Sequence, residues 1–192
     1  MIINNLAVLM KERNIKNVTL SARTGISKNS ISQLSNNNNS MILLETINKL
    51  CQELNVTPDE FFEYSPYDVS FKYMPPEDEE AYAYFIEGGL PLDKKENDRF
   101  IMFDTVILIH KNQSLVDEIV LGCAQEESEN DSGIYQVNRV AVLSTNNNKT
   151  LDKYFSTALK YHVVKMLENY LKDELSNHYE LISDDFSVYG NF

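Results

Sequence analysis

Leu20-Ser21-Ala22-Arg23-Thr24-Gly25-Ile26-Ser27-Lys28-Asn29-Ser30-Ile31-Ser32-Gln33-Leu34 reads as two short helices separated by a sharp turn. Gly25 permits the left-handed backbone that stops the first helix, which is predicted over Thr19 to Thr24. Ser27 can cap the second, predicted to run to about Ser35, because its hydroxyl can accept one of the unpaired N–H groups of the first turn. Leu20, Ile26, Ile31 and Leu34 supply the inner face, which leaves Lys28, Asn29, Ser32 and Gln33 pointing outward.

Working outward, Ile3, Leu6, Leu9 and Met10 recur at spacings of three and four and predict a first helix over residues 3 to 13. The asparagines Asn36 to Asn39 read as a loop or an element end. Met41 to Leu54 carries apolar residues at 43, 44, 47, 50, 51 and 54, a further helical stripe. Thr57-Pro58-Asp59-Glu60 opens another helix, with its cap at Thr57 and proline at the first position. The expectation is five short helices within residues 1 to 66. Pro66, Pro75 and Pro76, followed by the acidic run Glu77 to Glu80, place a linker at 67–76 and a second domain at 77–192.

The charges divide along the same line. The chain of 192 residues has a net charge of −12, yet residues 1 to 66 hold six basic and six acidic side chains. All of the excess therefore lies beyond residue 66. Residues 3 to 36 carry five basic groups against one acidic group, so the helical pair quoted above sits in the locally positive part of an acidic protein. No apolar run approaches the roughly 18 residues of a membrane span, and no secretory leader is evident at Met1 to Asn5. Two cysteines, Cys51 and Cys123, do not make a disulfide scaffold and read as small core residues. The expected setting is the cytoplasm, without a membrane partner.

Across residues 3 to 64 the chain resembles the lambda-repressor-like, XRE or Cro-type, helix-turn-helix family. Leu20, Gly25, Ile26, Ile31 and Leu34 fall where that family places its two-helix core and turn glycine. Leu54-Asn55-Val56-Thr57-Pro58-Asp59-Glu60-Phe61-Phe62 matches its junction between the fourth and fifth helices. Ser21 departs from the usual alanine, and Thr24 from a larger aliphatic residue. The resemblance implies a double-stranded DNA operator as partner, with the second helix entering a major groove about 12 Å wide. It assigns base reading to Lys28, Asn29 and Gln33, and phosphate contacts to Asn17, Ser27 and Asn36 near helix ends. Lysine suits guanine, and asparagine and glutamine suit adenine.

The second domain is expected to be α+β. Arg99 to Lys111, Leu115 to Gln125 and Ile134 to Ser144 read as strands, with Glu126 to Asp131 and Gly133 marking the second turn. Thr150 to Leu175 places Leu151, Phe155, Leu159, Val163, Leu167 and Leu171 at steps of four, which predicts a long helix over one face of a mainly antiparallel sheet. Tyr179 to Tyr189 returns as a last strand. Tyr82, Tyr84 and Phe85 read as core or dimer interface.

His110, His162 and His178 are isolated and give no metal-ligand spacing, so no metal, cofactor or catalytic residue is expected. The order of three strands, a helix and a strand loosely resembles acetyltransferases, but Ser144 to Lys149 lacks the glycines of a pyrophosphate loop. Asp131-Ser132-Gly133 lacks a preceding cleavage pair, which disfavours self-proteolysis. The reading is therefore a non-enzymatic, sequence-specific transcriptional regulator, a repressor of the phage or mobile-element kind. Its second domain would dimerise or sense a protein or small-molecule effector. The alternative is a protein-interaction module, an antitoxin or anti-regulator acting through the acidic second domain, and an enzyme fused to a DNA-binding domain is the third class.

Overall fold

The computed structural model describes residues 1–39, 41–75, 99–129, 135–146, 150–177, 182–190 and 192. The chain divides into two compact units, Met1–Pro66 and Tyr67–Phe192. The fold is α+β, with a helical first unit and a mainly antiparallel sheet in the second.

The first unit contains β1 (Ile2–Asn4), α1 (Leu6–Glu12), α2 (Asn17–Thr24), α3 (Lys28–Ser35), α4 (Leu44–Leu54), α5 (Pro58–Phe61) and β2 (Phe62–Tyr64). Leu6, Leu9, Met10, Leu20, Ile31, Leu34, Ile47, Leu50, Cys51, Leu54 and Phe61 form one buried core. Two boundaries differ from the periodicity. Ile3 is buried as predicted, but in a strand rather than a helix, because β1 pairs antiparallel with β2. Helix α4 starts at Leu44, and Leu43 and Leu44 are 67% and 86% exposed, so only the later part of the apolar stripe faces the core. Thr57 opens α5 as expected: the Glu60 carboxylate accepts from the Thr57 N–H at 2.8 Å and from its hydroxyl at 3.0 Å. These bonds, the backbone one foremost, hold the Glu60 carboxyl below its ordinary pKa.

The second unit is a five-stranded sheet in the order β3-β4-β5-β6-β7. Its strands are β3 (Tyr67–Met74), β4 (Arg99–Lys111), β5 (Ser114–Glu129), β6 (Tyr135–Thr145) and β7 (Ile182–Gly190), with α6 (Thr157–Ser176) between the last two. The linker expected at 67–76 is instead strand through Met74. Alternate residues Val69, Phe71 and Tyr73 are half-buried, and the strand pairs antiparallel with β4 in the register Tyr67 to Lys111. Glu126 to Glu129, read as part of a turn, belongs to β5, where Glu126 faces Arg139 across the ladder and bonds to it at 2.5 Å. The β4–β5 turn is made by Asn112 and Gln113 at φ 51° and 67°, the two-residue geometry that matches strand twist.

Strand β7 runs parallel to β6, which requires a crossover, and α6 supplies it. The helix begins later than predicted. Leu151 lies in a short 3₁₀ turn, Leu151–Lys153, and Phe155 precedes Ser156, whose hydroxyl accepts the Leu159 N–H at 3.3 Å and caps α6. Leu159, Val163, Leu167, Leu171 and Leu175 are all buried. Tyr170 accepts the Tyr73 N–H on edge strand β3 at 2.9 Å, and Glu168 accepts the Val188 N–H on edge strand β7 at 3.2 Å. One helix thus ties down backbone groups at both edges of the sheet. Beyond β6, the Asn146 side chain accepts the Val120 N–H at 3.0 Å.

Tyr82, Tyr84, Phe85, the run Glu77 to Glu80, the Ser132-Gly133 pair and His178 lie outside the described residues. No helix among the described residues is long and apolar enough to cross a membrane.

Candidate nucleic-acid interface

The arrangement of α2 and α3 follows from three local devices. Gly25 ends α2 at φ 72°, where a β-carbon is disfavoured, and its N–H bonds to the Ser21 carbonyl at 2.9 Å. Thr24, a departure from the family pattern, bridges this turn: its hydroxyl donates to the Leu20 carbonyl at 2.7 Å and accepts from the Ile26 N–H at 3.3 Å. Ser27 then caps α3, accepting the Ser30 N–H at 3.1 Å. Buried Leu20, Ile31 and Leu34 seat the two helices on the core. Arg23 on α2 pairs with Glu53 on α4 at 3.0 Å.

This geometry determines which α3 side chains face outward. Lys28, Asn29 and Gln33 are exposed on one face, with Asn29 and Gln33 one helical turn apart, and Ser32 is half-buried between that face and the core. Ser27 is exposed at the same end. Asn36 is exposed at the opposite end of α3, where it is the C-cap, and half-buried Asn17 occupies the first turn of α2. Neither α2 nor α3 carries an acidic residue in its first turn, so nothing offsets the partial positive charge of those ends. Lys11, Lys16 and Lys28 are exposed on this unit.

The asparagine run is an element end, closing α3. Asn37 adopts φ 54°; its N–H bonds to the Leu34 carbonyl at 2.9 Å, and the Asn38 N–H bonds to the Gln33 carbonyl at 3.0 Å. Together these close α3 as a Schellman turn. The Asn37 side chain reaches β1, where Asn4 is only 5% exposed. Its Oδ1 accepts from the Asn4 backbone N–H and from Asn4 Nδ2, both at 2.7 Å, and its Nδ2 donates to the Asn4 carbonyl at 3.0 Å. Asn4 Nδ2 also donates to the Leu34 carbonyl at 2.9 Å, and Asn4 Oδ1 accepts the Leu6 N–H at 3.1 Å. Neither residue carries a periodic signal in the sequence: Asn4 is a polar side chain beside an apolar stripe, and Asn37 is one of four consecutive asparagines.

The remaining sequence candidates take structural places. Cys51 and Cys123 are buried, and burial pushes the Cys123 thiol up to about 12. His110 Nε2 hydrogen-bonds Ser70 Oγ at 2.9 Å on the sheet, and burial holds half-buried His162 below its ordinary pKa.

Two helices joined through a glycine turn, with the second presenting an exposed polar face, define a helix-turn-helix DNA-binding unit. Residues 5–67 match the Cro/C1-type HTH DNA-binding domain, and this part of the chain belongs to that family. No curated protein matches the chain. Among solved structures, a protein from Bacteroides fragilis provisionally described as DNA-binding is 30% identical, covering 33% of this chain and 100% of its own, at a TM-score of 0.31.

Proposed function

We propose that the protein is a sequence-specific transcriptional regulator, a cytoplasmic repressor of the phage or mobile-element kind, that binds an operator as a homodimer. The observation that carries this reading is the single exposed face of α3, on which Lys28, Asn29 and Gln33 stand together while Ile31 and Leu34 hold the helix to the core. In this reading those three side chains contact base edges, and Ser27, Asn17 and Asn36 contact phosphates from helix ends.

Affinity is the argument for a dimer. The first unit has no net charge and offers few cations to phosphates, so one copy gains little from counterion release. Two copies on half-sites about 10 base pairs apart double the contacts, and the second unit supplies the pairing. Its excess of acidic groups repels nonspecific DNA and raises the ratio of specific to nonspecific binding.

The test begins by enriching duplexes from a randomised pool with the full chain. On an enriched duplex, Gln33→Ala is expected to weaken binding by about 1 to 3 kcal/mol while leaving a scrambled duplex nearly unaffected, measured by fluorescence anisotropy. Equal losses on both duplexes, or no enrichment at all, would overturn the reading. Sedimentation of the full chain decides the dimer.

A further inference from the structure

We propose that Asn4 and Asn37 are positioning residues for sequence reading. They clamp the C-terminal end of α3 to β1 and so fix the angle at which Lys28, Asn29 and Gln33 are presented. The inference rests on α3 being the DNA-contacting helix, as argued above.

A helix of eight residues is about two turns, roughly 12 Å long, so a tilt about one end displaces side chains at the other. The N-terminal end of α3 is directed by the Gly25 turn and the Ser27 cap. Its C-terminal end is seated on Ile31 and Leu34, and apolar contacts of this kind set depth but not direction. Direction comes from the two asparagines. The Asn37 amide accepts the N–H and donates to the carbonyl of the same residue, Asn4, as a neighbouring strand would. The Asn4 side chain in turn donates to the Leu34 carbonyl, which also takes the Asn37 N–H in the closing turn of α3, and accepts the first free N–H of α1. Both amides use donor and acceptor together, which an ionised carboxylate, an acceptor only, cannot reproduce at either position. Asn4 is also the point where β1 leaves its pairing with Phe62, so α3 is referenced to the β1–β2 ribbon as well as to the core.

Hydrogen bonds to bases tolerate little angular error, so a loosened α3 loses base discrimination before it loses attraction to phosphate. Asn37→Gly keeps the left-handed backbone and deletes the three side-chain bonds to Asn4. The full chain carrying this change is titrated against the duplex enriched by the parent and against a scrambled duplex at low salt. The expected result is about a tenfold loss on the enriched duplex with the scrambled one changed less than about twofold. A merely structural role lowers the folded fraction and reduces both by the same factor, which overturns the inference, as does no change on either.

If Asn37→Gly fails to fold by circular dichroism, Asn37→Asp replaces it. That variant keeps both acceptor bonds but sets a carboxylate oxygen against the Asn4 carbonyl in place of the donor, and is expected to lose discrimination in the same direction. Gln33→Ala run alongside separates the two ideas. Weakened binding by Gln33→Ala but not by the Asn37 variant defeats the clamp alone. Indifference to both, or no enriched duplex, defeats the DNA-reading role of α3 and the clamp with it.

Discussion

The two units of this chain are built from different kinds of information. In Met1–Pro66 most turns are decided by one or two adjacent residues: Gly25 and Asn55 end helices in left-handed conformations, Ser27 caps α3, and Thr57 with Glu60 caps α5. In Tyr67–Phe192 the structure is decided by pairing between distant segments, with β3 meeting β4 across an intervening stretch and β7 meeting β6 only after α6 has crossed. Local devices position a small polar face, and long-range pairing produces a large buried one. The first unit therefore suits recognition through a few side chains, and the second suits holding a shape.

The largest effect expected from this difference is in the second unit. Leu159 is 3% exposed on the α6 stripe that covers the sheet. Leu159→Asp places an unpaired charge there and is expected to cost about 3 to 5 kcal/mol, enough to unfold a marginal domain. The first unit has its own core and should keep its protection. Hydrogen exchange followed by peptide would show fast exchange across β4, β5, β6 and α6 with slow exchange retained in α2 and α4. Uniform loss across the chain would show that the units do not fold independently.

The same contrast explains what the sequence revealed. The turn at Gly25, the Ser27 cap, the outward set Lys28, Asn29 and Gln33, and the α6 stripe were all legible because each depends on residues within a turn or two. Strand β4 was legible as a run rich in Ile, Val and Phe, and β5 and β6 by their hairpin-like spacing after it, though their ends were not. β3 was missed because Tyr67 to Met74 alternates aromatic or aliphatic with polar residues beside prolines, and only its pairing with β4 makes it a strand. Ile3 was placed on the right face but in the wrong element, since its spacing satisfies a helix while its backbone pairs with Glu63. Leu43 and Leu44 continue an apolar pattern that the core does not use. Asn4 and Asn37 lie 33 residues apart, so their bonding could not be read from spacing.

A medium effect sharpens the claim that local backbone geometry governs the first unit. Gly25 has open space where a β-carbon would sit, so an alanine there meets no clash and pays only for its φ of 72°. Gly25→Ala should destabilise the unit by about 1 to 2 kcal/mol. The same unit already uses asparagine at positive φ in Asn14, Asn37 and Asn55, so Gly25→Asn should cost less than Gly25→Ala. Urea unfolding followed by circular dichroism at 222 nm checks the order. Equal losses would mean that the turn is held by something other than its backbone conformation.

The smallest effect belongs to the second unit and concerns pH. His162 lies half-buried on α6, and burial lowers its pKa because the protonated ring is poorly solvated there. The unfolded chain, with the ordinary value of about 6.5, therefore binds a proton more readily than the folded unit. The stabilising contribution of the neutral ring is fully present above that value and is lost as the pH falls through the lower, folded one. Thermal unfolding of the second unit should thus shift to lower temperature as buffer is taken from pH 7.5 toward 5. The measurement is a comparison: His162→Gln keeps a polar side chain of similar reach and removes the titration. It should flatten the dependence across the upper part of this window. The first unit contains no histidine, and its transition should not respond to the substitution. A parent and variant with parallel pH profiles would show that His162 reaches solvent in the folded unit well enough to be protonated as easily as in the unfolded chain.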